Sequence, residues 1–175
     1  IIAALICRIH NFVEDFMTKT IVCIHTVPLL VKVLDELGPK YLPGVEFTHI
    51  LNEVLVEQVR GKGNPGEEEK QWLLEQVIHA EKKGASAVLV TCTILSGFVD
   101  EVQSFVNIPI LRIDEEMARK AICLGQRIGI IVTNPDSIVP STNLLRATAQ
   151  SANKSINLTP VIADHAFDAI RNGAR

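Results

Sequence analysis

The sequence predicts a parallel α/β protein built from two similar lobes, the second of them truncated. Short apolar runs alternate with stretches of helical periodicity, which is the pattern of βαβ units. The run Ala87-Val88-Leu89-Val90 is apolar at every position, as a strand buried on both faces of a parallel sheet must be. The pattern of the first strand, an apolar run followed by a hydroxyl-bearing turn and an apolar-striped helix, recurs from Gln126 onward.

Taken in order, residues 20–25 form the first strand, and Thr26-Val27-Pro28 turns into a helix striped by Leu29, Leu30, Val33, Leu34 and Leu37. Gly38-Pro39 is expected to stop that helix. Residues 45–51 form a second strand, with Asn52 leading into a short helix through Val59. An amphipathic helix carrying Trp72, Leu73, Leu74, Val77 and Ile78 runs from Glu67 to Lys83 and feeds the third strand, 87–91. A short helix over 98–105 leads to a fourth strand, 108–112. Pro109 marks that strand as an edge, because it cannot donate to a central ladder. A helix from Asp114 ends at Gly125.

The second series then begins: a strand over 126–133, the turn Thr133-Asn134-Pro135-Asp136-Ser137, a helix over 138–149, a strand over 156–162 and the start of a helix at Ala166. Its third strand is not reached, so the second lobe reads as incomplete. The expected organisation is a flanking segment over 1–18 without an assigned role, a first lobe over 19–125 and an incomplete second lobe over 126–175.

The chain has 175 residues, 47% of them hydrophobic and 21% charged, with net charge -3, which excludes a disordered chain. The apolar run at residues 1–7 is too short for a membrane span. A mildly acidic balance with no Lys/Arg cluster argues against nucleic acid as a partner. Four cysteines without CxxC pairing, and no recognisable signal peptide, point to reduced thiols and a cytoplasmic protein. The histidines at 10, 25, 49, 79 and 165 fall at no metal-ligand spacing, so no metal is expected. Gly61-Lys62-Gly63-Asn64-Pro65-Gly66 matches GxGxxG but follows a helix and precedes three glutamates, a poor seat for a pyrophosphate. It reads as a surface loop.

The concentrated polar chemistry lies at Thr91-Cys92-Thr93, where the third strand ends. Ligands of open α/β sheets bind outside the carboxyl ends of the strands, so Cys92 is the candidate reactive group. A buried cysteine can equally be a small hydrophobe. Cys23 within a strand and Cys123 near a helix end are expected in the core. A helix starting near Ser96 would favour the thiolate. His25 either lines the same cleft or is a satisfied strand-end histidine. Arg112-Ile113-Asp114 reads as an edge strand entering a capped helix.

Three segments together resemble the aspartate/glutamate/hydantoin racemase superfamily: Ile24-His25-Thr26-Val27-Pro28, Val90-Thr91-Cys92-Thr93 and Gly125-Gln126-Arg127-Ile128-Gly129-Ile130-Ile131-Val132-Thr133. The resemblance spans about residues 19–175. It implies two Rossmann-like (flavodoxin-like) lobes facing each other across a cleft, and cofactor-independent racemisation or epimerisation of a small carboxylate such as an amino acid. It makes Cys92 the first-lobe catalytic thiol and Thr93 a holder of the substrate carboxylate. Thr26 and Thr133 would contact the same carboxylate, and Asn52 would line the cleft. A second-lobe cysteine has no counterpart here. The alternatives are a single-thiol decarboxylase or cis-trans isomerase on the same scaffold, or a silent binding module. A homodimer is compatible with such folds.

Overall fold

The computed structural model describes residues 20–59 and 65–171. The flanking segment and most of the GxGxxG match lie outside the described residues. A first series comprises β1 (Thr20–His25), α1 (Leu29–Tyr41), β2 (Glu46–Leu51), α2 (Glu53–Val59), α3 (Glu67–Lys82), β3 (Ala87–Val90), α4 (Thr93–Ser96), α5 (Val99–Gln103) and β4 (Ile110–Arg112). It is followed by α6 (Glu115–Leu124), β5 (Arg127–Val132), a 3-10 turn (Pro135–Ser137), α7 (Ile138–Ser151), β6 (Asn157–Ile162) and α8 (Ala166–Arg171).

The first sheet has the order β2-β1-β3-β4 and is parallel throughout. Its middle strands are β1 and β3, and all four residues of β3 are buried. One face packs Val22, Ile24, Val88 and Val90 against Leu55 and Val59 of α2 and Leu73 and Val77 of α3. The other packs Ile21, Cys23, Ala87 and Leu89 against Leu34 of α1. In the second sheet β5 pairs in parallel with β6. Ile130 and Val132 bury against Leu145 and Ala149 of α7 and Ala118 and Ile122 of α6. The expected α/β class with two parallel sheets is therefore what the chain forms.

Two helices end in the same device. Gly84, at φ +84, closes α3, with its N–H on the Glu81 carbonyl at 2.9 Å and the Ala85 N–H on the Ala80 carbonyl at 3.1 Å. Asn153, at φ +52, closes α7 in the same way, through Gln150 and Ala149. This is a Schellman closure, which satisfies two of the helix's orphan carbonyls and turns the chain sharply into the next strand.

Three local expectations need correction. The first helix does not stop at Gly38-Pro39 but continues to Tyr41. Proline removes only its own N–H, and the Leu42 N–H still bonds the Gly38 carbonyl at 2.8 Å. Gly38 instead makes room for Phe47, whose ring would lie 2.6 Å from an added Cβ. The helix expected near Ser96 begins at Thr93, directly after Cys92. Cys123, expected in the core, is exposed. The buried stripe of α6 runs through Ala118 and Ile122, four residues apart, and the next residue turns outward.

Candidate active site

The three parallel strands β1, β2 and β3 end side by side, and their C-terminal ends are laced together. The Thr91 N–H bonds the Ile24 carbonyl at 3.0 Å, and the Asn52 N–H bonds the His25 carbonyl at 2.9 Å. This lacing brings Thr26, Asn52 and Cys92, distant in sequence, to one edge of the sheet.

Cys92 is the N-cap of α4 and is only 7% exposed. Burial pushes its thiol pKa up, and the Asp114 carboxylate adds to this. Against that, the Thr26 hydroxyl and the N–H groups of Leu95 and Ile94 are directed at the sulfur and favour its anionic form. Burial wins, so the resting group is a thiol with an anion seat built around it. The backbone of α4 is fixed beneath, since both the N–H and the hydroxyl of Ser96 bond the Cys92 carbonyl, at 2.9 and 3.1 Å.

The other expected site residues are placed as follows. Thr26 is buried and faces Cys92. The Thr93 hydroxyl donates to the Asp114 carboxylate. Asn52 accepts the Leu55 N–H at 3.2 Å through Oδ1, capping α2. Thr133 follows β5, and the turn after it, Pro135–Ser137, packs on α4. Thr26 thus meets Cys92, Thr93 follows Cys92 and turns its hydroxyl to Asp114, Asn52 adjoins Thr26 through the His25 carbonyl, and Thr133 precedes the turn that packs on α4.

Two residues that sequence reasoning passed over stand beside this cluster. Asp114 is 8% exposed, and its Oδ1 has no hydrogen-bond partner. Burial raises its pKa, while its own backbone N–H, the Thr93 hydroxyl and Arg112 oppose the shift. Arg112 bonds the Ser96 carbonyl at 3.0 Å and pairs with Asp100 at 2.7 Å. Both line a cavity of about 440 Å³ together with Ser96 of α4 and Pro140 and Asn143 of α7. A cavity of about 530 Å³ on the far side of Arg112 is lined by α6 and α7. Cys92 lines neither; the smaller cavity is the one that meets the chemistry, through Asp114 and Ser96. The usable signal was positional, because Arg112-Ile113-Asp114 also ends a parallel strand.

Other sequence candidates resolve simply. Glu69, 5% exposed, accepts the Gly66 N–H at 2.6 Å, so the start of α3 is occupied by its own carboxylate. His25 is fully buried and does not line the cleft. Among the described residues no helix is long and apolar enough to cross a membrane.

A parallel α/β scaffold with a cysteine capping a helix at a strand's carboxyl end defines a class, and comparison with known proteins gives it a family. The Asp/Glu/hydantoin racemase profile matches residues 32–165, and the chain belongs to that family. Solved structures of similar fold include three glutamate racemases. That from Aquifex pyrophilus is 16% identical, with a TM-score of 0.62 over 81% of this chain and 54% of its own. The enzyme from Francisella tularensis subsp. tularensis SCHU S4, in complex with D-glutamate, is 14% identical with a TM-score of 0.69, over 89% of this chain and 57% of its own. Isoform RacE1 from Bacillus anthracis is 18% identical, with the same TM-score and coverage. At such identities the likeness is one of fold. The chain spans a little over half the length of these structures. No curated protein matches it.

Proposed function

We propose that this chain supplies one half of a cofactor-independent isomerase site, in which Cys92 moves a proton at the α-carbon of a small carboxylate such as an acidic amino acid. The carrying observation is the set of donors around its sulfur: the Thr26 hydroxyl and the N–H groups of Leu95 and Ile94. In the reaction the Cys92 thiol first gives its proton to solvent, and the thiolate, held by these donors, takes the α-proton. The S–H bond forms as the C–H bond breaks, and the electron pair moves into the carboxylate as an enediolate. That charge needs preorganised donors. The Thr93 backbone N–H, first in α4, is one. The Asn52 side-chain amide is another, since only its oxygen is committed to the α2 cap, and the Thr133 hydroxyl a third.

Racemisation also needs an acid on the opposite face of the carbon. Of the other described cysteines, Cys23 sits in the core under α1 and Cys123 is exposed on α6. The second acid must therefore be a group other than these. A site with one thiol fits the reprotonating step of a decarboxylase as well, and this observation keeps that second reading alive.

The test follows hydrogen exchange at the α-carbon of aspartate and glutamate in deuterated water by NMR. Cys92→Ala is expected to abolish exchange, and unchanged exchange would overturn the proposal. Loss of carbon dioxide from a substituted malonate without α-exchange of amino acids would select the second reading. In a Cys123→Ser background, which removes the exposed competing thiol, iodoacetamide should label Cys92 faster as pH rises. Thr26→Val should move that profile to higher pH, because the hydroxyl that favours the thiolate is gone. A profile unmoved by Thr26→Val would remove Thr26 from the site.

A further inference from the structure

We infer that Cys23, His25 and His49 form a binding site for a single divalent transition-metal ion of zinc type, on the α1 side of the first sheet. The parallel register sets Cys23 opposite His49, while His25 lies two residues on from Cys23 along β1 and so on the same face. The Cys23 Sγ and one nitrogen from each ring lie within 4.8 Å of one another.

Each ring is backed by an oxygen, and the inner nitrogens face each other. His25 Nδ1 lies 2.8 Å from the Thr91 hydroxyl, which is also 3.0 Å from the Ile24 carbonyl. His49 Nε2 donates to the Asp35 carboxylate at 3.1 Å. His25 Nε2 and His49 Nδ1 share one proton in a 2.8 Å hydrogen bond. A cation between the rings takes the place of that proton, which moves to His25 Nδ1, where the Thr91 hydroxyl, donating to the Ile24 carbonyl, accepts it.

Two inward ring nitrogens beside a thiol, each ring held from behind by an oxygen, is the arrangement that surrounds metal-bound histidines. The carboxylate behind one imidazole and the hydroxyl behind the other orient both rings for coordination. Sulfur and imidazole nitrogen are ligands that select zinc-type ions over magnesium or calcium. Metal–nitrogen bonds of about 2.0–2.1 Å in a tetrahedral shell put two nitrogens roughly 3.3 Å apart, so the rings need to part by only about half an ångström. Coordination needs the thiolate, so the Cys23 proton goes to solvent and metal uptake should be assisted by base.

With three protein ligands the ion keeps one position for water or another small ligand. The site lies one residue before Thr26 on β1 and, through Thr91, one residue before Cys92 on β3. A bound ion would tie together the strand ends that carry the candidate cluster. The inference rests on the convergence of the three ligand atoms and does not depend on the activity proposed above.

The test is metal binding by the chelator-treated chain, with zinc chloride by calorimetry and cobalt(II) chloride by absorbance. One equivalent should bind saturably, cobalt should show a thiolate charge-transfer band, and zinc at a hundredfold excess over its Kd should raise Tm by roughly 5–10 °C. Cys23→Ser should remove the band, and His49→Gln, on the edge strand β2, should weaken binding at least tenfold while circular dichroism stays native. Cys123→Ser should leave both intact. No saturable binding by the unmodified chain, or binding that Cys23→Ser and His49→Gln leave unchanged, would overturn the inference.

Discussion

β3 and β5 carry nearly the same message, an apolar run ending at a threonine, yet their surroundings differ. Every residue of β3 is buried, between helices on both faces of the first sheet. β5 alternates: Ile130 and Val132 are 8% and 6% exposed, while Ile131 between them is 77% exposed. Its register partner on β6, Val161, is 52% exposed, so two apolar side chains stand together on the open face. Burial belongs to what an element packs against, and two similar runs acquire different energetic weight from their neighbours. Among the described residues the first sheet is a finished three-layer unit and the second is covered on one side.

The sharpest way to break this comparison is a matched pair of truncations. Leu89→Ala empties a fully buried position in β3 and should cost about 2–5 kcal/mol in urea denaturation. Ile131→Ala should stay within about 0.5 kcal/mol. Similar costs at the two positions would mean that the open face of β5 is covered in solution.

The same contrast explains what was legible in the sequence. The order of strands and helices was readable because apolar runs and helical stripes are local signals, and β3 was readable because it is apolar throughout. The extension of α1 past Gly38-Pro39 was not, since Gly38 reads as a helix stop until the ring of Phe47, from a separate element, is seen to occupy the space that a side chain there would take. Cys92 stood out by its position at a strand end, and Thr26 through the family resemblance. The Cys23–His25–His49 cluster did not, because the register that sets Cys23 against His49 is written in no spacing along the chain. Asp114 was read as a cap, but its side chain bonds Thr93 and makes no helix-capping hydrogen bond.

Asp114 supplies the intermediate effect, at the passage from the finished sheet to α6, whose buried face packs with the second. Its folded pKa lies above the ordinary 3.8 because burial disfavours the charged form. The native state therefore has its full stability from this group below that value and loses it as pH rises through the shifted one. Asp114→Asn cannot ionise and escapes that loss. Relative to the unmodified chain, its Tm should be higher at pH 7 than at pH 4, by about 2–4 °C for each kcal/mol relieved. A difference independent of pH would mean that the carboxylate is solvated and the passage between the sheets is open.

The smallest effect compares the two lobes at their shared helix closure. Both Gly84 and Asn153 hold a positive φ that side chains disfavour, and nothing lies within 4 Å of a Cβ built on Gly84. Any cost of Gly84→Ala is then backbone strain alone, about 1 kcal/mol. Asn153 already bears part of that strain, eased by asparagine's tolerance of the left-handed region. Asn153→Gly should relieve it and stabilise by a few tenths of a kcal/mol, offset by the greater freedom of glycine in the unfolded chain. The two substitutions should therefore have opposite signs in urea denaturation. If Asn153→Gly destabilises by as much as Gly84→Ala, the asparagine side chain makes a contact in the second lobe that glycine at the equivalent position of the first does without.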